Sequence, residues 1–374
     1  MKILLLSDLN SIHTIRWTTS LAQHDLEISI FGLSKECHTF YRNYRNVQVY
    51  NGGIDSSVVT NPNLSLTKLS YLKVLCQIKK LIRQFKPDLI HAHYASSYGL
   101  IGALSDFHPY ILSVWGADIF EFPNKSFLHR ELLKFNLKKA DNILSISHTM
   151  AEATRQYSSK PIKVIPWGVD LNTFRPRKGP NLFHENDLII GTIKGLEEQY
   201  GVEYLIKAFQ ILRAKYPYLP LKLLIVGGGS LEQSLKALVK ELNLADDTIF
   251  AGRISHDSVP DYHNMLSIYV ALSVIDSESF GVAVVEASAC EKPVVVSNVG
   301  GLPEVVENGT TGFVVSPRNP EKAAEAIEKL ILDKELCLKM GQAGRERVKK
   351  LYRWEDSVRQ MISIYQTILE DHRI

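Results

Sequence analysis

Three neighbouring pieces of sequence decide the fold: Ile268-Tyr-Val-Ala-Leu-Ser-Val274, Glu278-Ser-Phe-Gly-Val-Ala-Val-Val-Glu286 and Pro293-Val-Val-Val-Ser297, the last followed by Gly300-Gly301. The first and third are short, apolar and β-branched, as buried strands are, and the middle one reads as a polar turn entering a helix. A strand, a turn and a helix in that order aim backbone N–H groups and the positive end of a helix dipole at one point, where a phosphate can sit. With a helix start near Phe280, Glu286 falls about six residues in, roughly 9 Å along the axis, and its side chain leans back toward the start. A phosphate on the turn and an attached ribose on Glu286 fit that spacing. Two ordinary surface acids are the bland alternative. It suits Glu286 poorly, because Val284-Val-Glu-Ala-Ser-Ala-Cys290 is otherwise apolar and a buried acid needs a partner.

The same alternation extends outward in both directions. Strand-like runs are expected at Ile3–Leu6, Glu27–Phe31, Val47–Tyr50, Asp88–His93, Tyr110–Val114, Asn142–Ile146 and Lys163–Ile165. A second series runs Leu188–Ile193, Leu221–Val226, Thr248–Phe250, Ile268–Leu272, Pro293–Ser297 and Gly312–Val315. Helical patterns lie between them, the clearest at Leu66–Phe85. Continuous apolar strands separated by helices imply parallel sheets covered on both faces, so the fold class is α/β with two Rossmann-like domains. The linker is expected around Pro166-Trp-Gly-Val-Asp170 to Gly179-Pro180, after the last strand of the first series. Open parallel sheets bind ligands at the carboxyl ends of their strands, and two such edges can face each other across a cleft.

Composition limits the function classes. The 374 residues, 45% hydrophobic and 22% charged, are those of a globular protein of about two domains. No apolar run approaches the roughly 20 residues of a membrane span, and the start Met1-Lys-Ile-Leu-Leu-Leu-Ser-Asp8 reads as a buried strand rather than a signal peptide. Cys37, Cys76, Cys290 and Cys337 are scattered without metal spacing, so neither disulfides nor a structural metal is expected, in keeping with a reducing cytoplasm. The net charge of +3 conceals an asymmetry. Residues 1–180 hold 22 basic against 13 acidic side chains (net +9), and residues 181–374 hold 21 against 27 (net −6). A basic first half suits an anionic partner such as a membrane surface or a phosphorylated lipid, although the charge is dispersed rather than gathered in one run.

Other residues fall at strand ends, where an open sheet carries its chemistry. Lys194-Gly195 follows the first strand of the second series, Gly227-Gly-Gly229 the next, and Arg253-Ile254 the third. The glycines lack the full dinucleotide spacing. The cations suit a diphosphate, or are ordinary surface charges. In the first series Ile90-His91-Ala-His93 ends a strand; one histidine is expected to face each side, with His93 the better placed for binding or proton transfer. A metal on His91 and His93 is disfavoured because no carboxylate stands nearby in sequence. Asp118 either binds a sugar hydroxyl or caps a turn. His13, after the first strand, belongs at the same edge.

Together these residues resemble the retaining glycosyltransferase family 4, of GT-B fold. The resemblance is carried by the two glutamates of Glu278–Glu286 with Phe280-Gly281, by residues 301–317 (GLPEVVENGTTGFVVSP), by residues 164–176 (VIPWGVDLNTFRP) and by Gly252-Arg253. It is specific over the second domain and looser over the first. It implies that Glu286 binds the ribose of a nucleotide-sugar, and that Glu278 with the Phe280, Gly281 and Val282 backbone holds the donor sugar and phosphate. Lys194, beside Gly195, would stabilise the leaving diphosphate, and Arg253-Ile254 would seat the base. The acceptor would attack from the face of the departing diphosphate, with neither metal nor cofactor. Residues 1–172 would form the acceptor-binding domain and 173–353 the nucleotide-sugar domain, with helix 354–374 packing back on the first. Three departures stand out: Gln199 where a second cation is usual, Trp115 where many members have histidine, and Asn10-Ser-Ile-His13 in place of a glycine pair.

The function expected is therefore metal-independent, retaining transfer from a nucleotide-linked sugar, UDP favoured over GDP, to a hydroxyl of a glycan or lipid-linked saccharide. The enzyme would be cytoplasmic and peripheral on the inner membrane face, with no nucleic-acid partner. A silent sugar-nucleotide-binding subunit, or an epimerase or phosphorylase on the same architecture, is the alternative.

Overall fold

The computed structural model describes residues 1–35, 39–54, 64–179 and 182–372; Cys37 and Pro180 lie outside them. The chain divides into two compact units, Met1–Ile165 with Val358–Ile374, and Pro166–Ser357.

The first unit is a seven-stranded parallel sheet: β1 (Lys2–Leu6), β2 (Glu27–Ser34), β3 (Val47–Ile54), β4 (Leu89–His93), β5 (Tyr110–Val114), β6 (Asn142–Ser145) and β7 (Ile162–Val164), ordered β3-β2-β1-β4-β5-β6-β7. The second unit repeats the pattern with β8 (Leu188–Ile193), β9 (Leu221–Val226), β10 (Thr248–Gly252), β11 (Ile268–Ala271), β12 (Val294–Ser297) and β13 (Gly312–Val315), ordered β10-β9-β8-β11-β12-β13. Every expected strand is present, within a few residues at the ends. Both units are Rossmann-like, and each reverses its strand order once, between β1 and β4 and between β8 and β11. At such switch points the loops leave in opposite directions and open a crevice beyond the carboxyl ends.

Helices cover both faces of each sheet, so Ile3, Leu4, Leu5 and Leu6 of β1 are all excluded from solvent, as are Leu223, Leu224, Ile225 and Val226 of β9. Buried polar side chains collect where the strands end: Ser7, His91, His93 and Ser113 in the first unit, Thr192, Ser273 and Ser297 in the second. Among the described residues no helix is long and apolar enough to cross a membrane.

The division differs from the expected boundaries at both ends. Residues 166–172 belong to the second unit because Val169 donates its N–H to the Tyr352 carbonyl (2.8 Å) and accepts from Trp354 (3.1 Å). Gly168 permits this close pairing, since a Cβ there would stand 2.5 Å from the Arg353 carbonyl carbon. The last helix, Trp354–Asp371, changes unit at Val358; Tyr365 on it is fully buried and meets His91 of β4 at 2.7 Å.

Candidate functional site

β8 and β11 lie side by side, Ile190 opposite Ile268, so the residues that follow each strand are brought together beyond the sheet edge. Lys194 follows β8 and Glu278 lies in the turn after β11; the lysine Nζ is 2.6 Å from Glu278 Oε2. Ser273 donates its hydroxyl to the same carboxylate oxygen at 3.2 Å, and the ammonium lies 4.7 Å from the centre of the Tyr200 ring. Burial works against the charged lysine, but Glu278, with Tyr269 and Tyr200 adding to it, outweighs burial and holds the ammonium above the usual lysine range. An ammonium has three donors and one is spent on Glu278, so an anion at this edge meets a fixed positive charge.

The turn is braced from the next loop. Gly301 donates its N–H to the Glu278 carbonyl (2.8 Å), and Gly300 donates to Asp276 Oδ1 (3.0 Å). Gly300 has φ +51°, and a Cβ there would stand 2.2 Å from the Glu278 carbonyl oxygen, so only glycine allows this approach. The helix begins at Val282 rather than Phe280, with Gly281 at φ +91° before it. Val284 and Val285 donate their N–H groups to the Gly281 carbonyl (2.9 and 3.2 Å), and the N–H groups of Val282 and Ala283 before them have no carbonyl within the helix to take them up. Phe280 is buried, edge-on to Tyr352 at 5.5 Å, so what it offers this edge is backbone.

Glu286 is the fifth residue of this helix, Val282–Ala289, and is 7% exposed. Its Oε2 is 3.5 Å from Nε2 of His263, a residue the sequence reading missed. His263 stands on the helix Val259–Met265 and is wholly excluded from solvent. Tyr269 of β11 adjoins both groups of residues. Burial, eased by Lys194 and reinforced by Glu278 and Glu286, pushes its phenol up to about 12.

Gly227, Gly228 and Gly229 serve close packing rather than a dinucleotide fingerprint. A Cβ on Gly227 (φ +136°) would stand 1.8 Å from the Lys194 carbonyl oxygen, and one on Gly229 would stand 2.4 Å from that of Leu196. The Arg253 side chain crosses Gly228, whose Cβ would approach it to 2.7 Å, and Ile254 follows, partly exposed. Glu197 accepts from the Ser230 N–H (2.9 Å) and hydroxyl, which hold its carboxyl below the usual range. Gly195 packs on Tyr200, and it is the Tyr200 ring, not a second cation, that accompanies Lys194.

In the first unit two expectations change. His91 and His93 share one face of β4, their ring centres 4.6 Å apart, because residues two apart on a strand point the same way. His91 is tied to Tyr365 Oη and Ser113 Oγ, both at 2.7 Å, while His93 bonds Ser7 Oγ at 3.0 Å and lies against Trp115 at 4.5 Å. Burial lowers both imidazoles, His93 to about 3, and the neighbouring His93 charge lowers His91 further. His93 is therefore a neutral group near neutral pH. Asp118 is not available to a sugar: it is fully buried and accepts N–H bonds from Ala95 (2.7 Å), Gly116 (2.7 Å) and Trp115 (3.1 Å). It joins the loops after β4 and β5, and burial lifts its carboxyl while those donors pull it down. His13, half-buried, stands edge-on to Trp115 at 6.4 Å.

Two Rossmann-like units of parallel sheet, one with a braced glycine turn beside a partly buried lysine, are the architecture of the GT-B class of sugar-transferring enzymes. The chain belongs to the group 1 glycosyltransferases. Residues 174–347 match the model for glycosyl transferases group 1, and residues 2–147 match that for glycosyl transferase 4-like proteins. An uncharacterized glycosyltransferase of Methanocaldococcus jannaschii is 30% identical over 331 residues, 87% of this chain and 86% of the relative. The N-acetyl-alpha-D-glucosaminyl L-malate synthase of Bacillus anthracis is 27% identical over 329 residues, 85% and 83% of the two chains. The fold is also that of Anabaena HepE in complex with UDP, with a TM-score of 0.78 at 19% identity, covering 98% of this chain and 100% of HepE.

Proposed function

We propose that the protein transfers a sugar from a nucleotide-sugar, UDP-linked, to a hydroxyl of a glycan or lipid-linked saccharide, retaining the anomeric configuration and without a metal. The observation that carries this reading is the Lys194–Glu278 pair of 2.6 Å, next to the start of the helix that bears Glu286. The Phe280–Val282 backbone takes the phosphate, Glu286 the ribose, Glu278 a donor-sugar hydroxyl and Arg253-Ile254 the base. As the bond from the sugar to the diphosphate breaks, negative charge grows on the leaving oxygen, and Lys194 meets it with a charge already in place. The acceptor oxygen bonds to the same sugar carbon from the face the diphosphate leaves, and its hydroxyl proton passes to the departing diphosphate oxygen. His93 and His13 are the acceptor-side groups of the first unit, His93 acting as a neutral hydrogen-bonding group. Among the described residues no cluster of histidine, cysteine and carboxylate side chains forms a metal-ligand set. HepE, named in complex with UDP, supports the choice of base, and the malate synthase supports a hydroxyl acceptor.

A peripheral membrane contact through the first unit is part of the same reading. Phe127 and Leu128 are 72% and 76% exposed beside exposed Lys125 and Arg130, an arrangement that suits an anionic lipid surface.

The test is a thermal-shift screen of UDP- and GDP-sugars, followed by transfer assays with the hit in EDTA and by NMR of the product anomer. A hit whose product keeps the donor's configuration in EDTA supports the reading. An inverted anomer refutes retention, and a requirement for metal refutes metal independence. Release of the sugar with orthophosphate alone points instead to a phosphorylase.

A further inference from the structure

His263 is an expensive residue in its place. It is wholly buried, with the rings of Tyr269 and Phe174 centred 5.4 and 6.1 Å away, and neither ring nitrogen has a hydrogen-bond partner. An unsatisfied polar group in such surroundings destabilises the fold, and an aromatic hydrocarbon would fill the space without that cost. Neighbouring polar groups are already spent: Asn264 donates its amide to the carbonyls of Arg175 (3.0 Å) and Pro260 (2.8 Å), and Lys292 donates to the Asn264 carbonyl (3.0 Å). What remains in front of His263 is the Glu286 carboxylate, 3.5 Å away, slightly beyond hydrogen-bond length. His263 is wholly buried, whereas Glu286 keeps 7% of its surface exposed.

We infer that His263 is a positioning residue for Glu286: its Nε2–H closes onto Oε2, sets the plane of the carboxylate and leaves the outer lone pairs for a vicinal diol of the bound nucleotide. The inference rests on the proposed role of Glu286 toward ribose. A carboxylate free to rotate accepts two hydroxyls poorly, whereas one pinned from behind presents both acceptors in a fixed plane. That contact satisfies Nε2 and leaves Nδ1 among the aromatic rings, with stability given up for a preset carboxylate.

The experiment is calorimetric binding of UDP and GDP, and of the 2′,3′-dideoxy form of whichever binds, to wild type, Glu286→Gln, His263→Phe and His263→Gln, with a melting temperature for each. His263→Phe is expected to weaken the ribonucleotide about tenfold, as loss of a hydrogen bond to a charged group does, and to leave dideoxy binding unchanged. Its melting temperature should equal or exceed that of wild type, while His263→Gln, which keeps a donor, recovers part of the affinity. With a competent donor, KM should rise and kcat should hold. Equal losses for both nucleotides would mean a structural role and overturn the inference. Wild-type affinity in His263→Phe, with Glu286→Gln impaired, overturns it as well and leaves the ribose reading standing. If Glu286→Gln does not discriminate ribo from dideoxy forms, or wild type binds neither nucleotide, the reading of Glu286 itself fails. Should His263→Phe not fold, His263→Leu, which also lacks a donor, carries the same comparison.

Discussion

Lys194 Nζ and Glu278 Oε2 stand 2.6 Å apart because their strands, β8 and β11, are neighbours at the point where the sheet reverses its order. The pair is a fixed dipole at the edge where this fold binds ligands. In the proposed reaction, replacing Lys194 with alanine removes a charge whose value is greatest as the leaving diphosphate gains its own. Turnover is expected to fall by roughly 10²–10³ while donor affinity changes far less. Steady-state kinetics beside calorimetric donor binding checks this; unaltered turnover would remove Lys194 from the mechanism.

The same pair predicts a pH behaviour. The lysine is raised in the folded state, so its contribution to stability is complete below its unfolded value of about 10.4 and is lost only as pH rises through the folded value. No lysine-dependent loss of activity is therefore expected between about pH 6 and 9. In Glu278→Gln burial loses its main opponent, so the lysine falls and an alkaline limb should enter the measurable range of the pH–rate profile. A wild-type profile with that limb already present would contradict the pairing.

Gly300 gives a test of the brace behind Glu278. Alanine at φ +51° costs about 1–2 kcal/mol in backbone strain alone, and its Cβ would stand 2.2 Å from the Glu278 carbonyl oxygen. The Gly300→Ala variant should melt lower and bind nucleotide-sugar more weakly, the second by more than the first explains. Alanine at Gly309, also at positive φ but with nothing within 4 Å of its Cβ, is the control and should keep donor affinity.

The sheets were legible because strands buried on both faces read as unbroken apolar runs, and Lys194, Arg253 and Glu278 could be placed because strand ends follow from strands. Partnerships across sequence were not legible. Asp118 has its partner in Ala95 as well as in its own loop, and His263 has Glu286; no local pattern announces either. His263 lies in Pro260-Asp-Tyr-His-Asn264, which reads as a plain helix start, and only the surrounding Phe174 and Tyr269 make its burial evident. The histidines of β4 were legible in kind but misassigned in direction, since a period of two puts His91 and His93 on one face.

That shared face makes acid stability a prediction. Both imidazoles are lowered by burial, so between about pH 6.5 and the folded values, about 3 for His93, the unfolded chain binds more protons than the folded one. Stability is then present above pH 6.5 and is lost on acidification, by up to about 1.4 kcal/mol per pH unit for each histidine. Melting temperature against pH should fall below pH 6.5, and His93→Gln should flatten the curve. Tyr365→Phe leaves His91 Nδ1 without its 2.7 Å partner and should cost about 1–3 kcal/mol at neutral pH. A flat wild-type curve down to about pH 4 would mean that these histidines do not titrate as buried neutral groups.

The exposed pair on the helix Phe127–Lys139 tests the membrane part of the proposal. Leu128 and Phe135 are seven residues apart, hence on one side of the helix, and both are exposed together with Phe127. Insertion of two such side chains contributes about 1.5–3 kcal/mol each when fully buried, and nearby Lys125 and Arg130 add about 1 kcal/mol apiece at an anionic surface. Vesicles of phosphatidylcholine with phosphatidylglycerol should therefore bind the wild-type protein, more weakly as salt rises, and vesicles of phosphatidylcholine alone should bind it less. Phe127→Ser with Leu128→Ser is expected to lower vesicle binding at least tenfold without lowering the melting temperature, because neither side chain is in the core. If the double variant cosediments with anionic vesicles as wild type does, this helix is not the contact. If wild type ignores charged vesicles altogether, the basic character of residues 1–180 serves some other end.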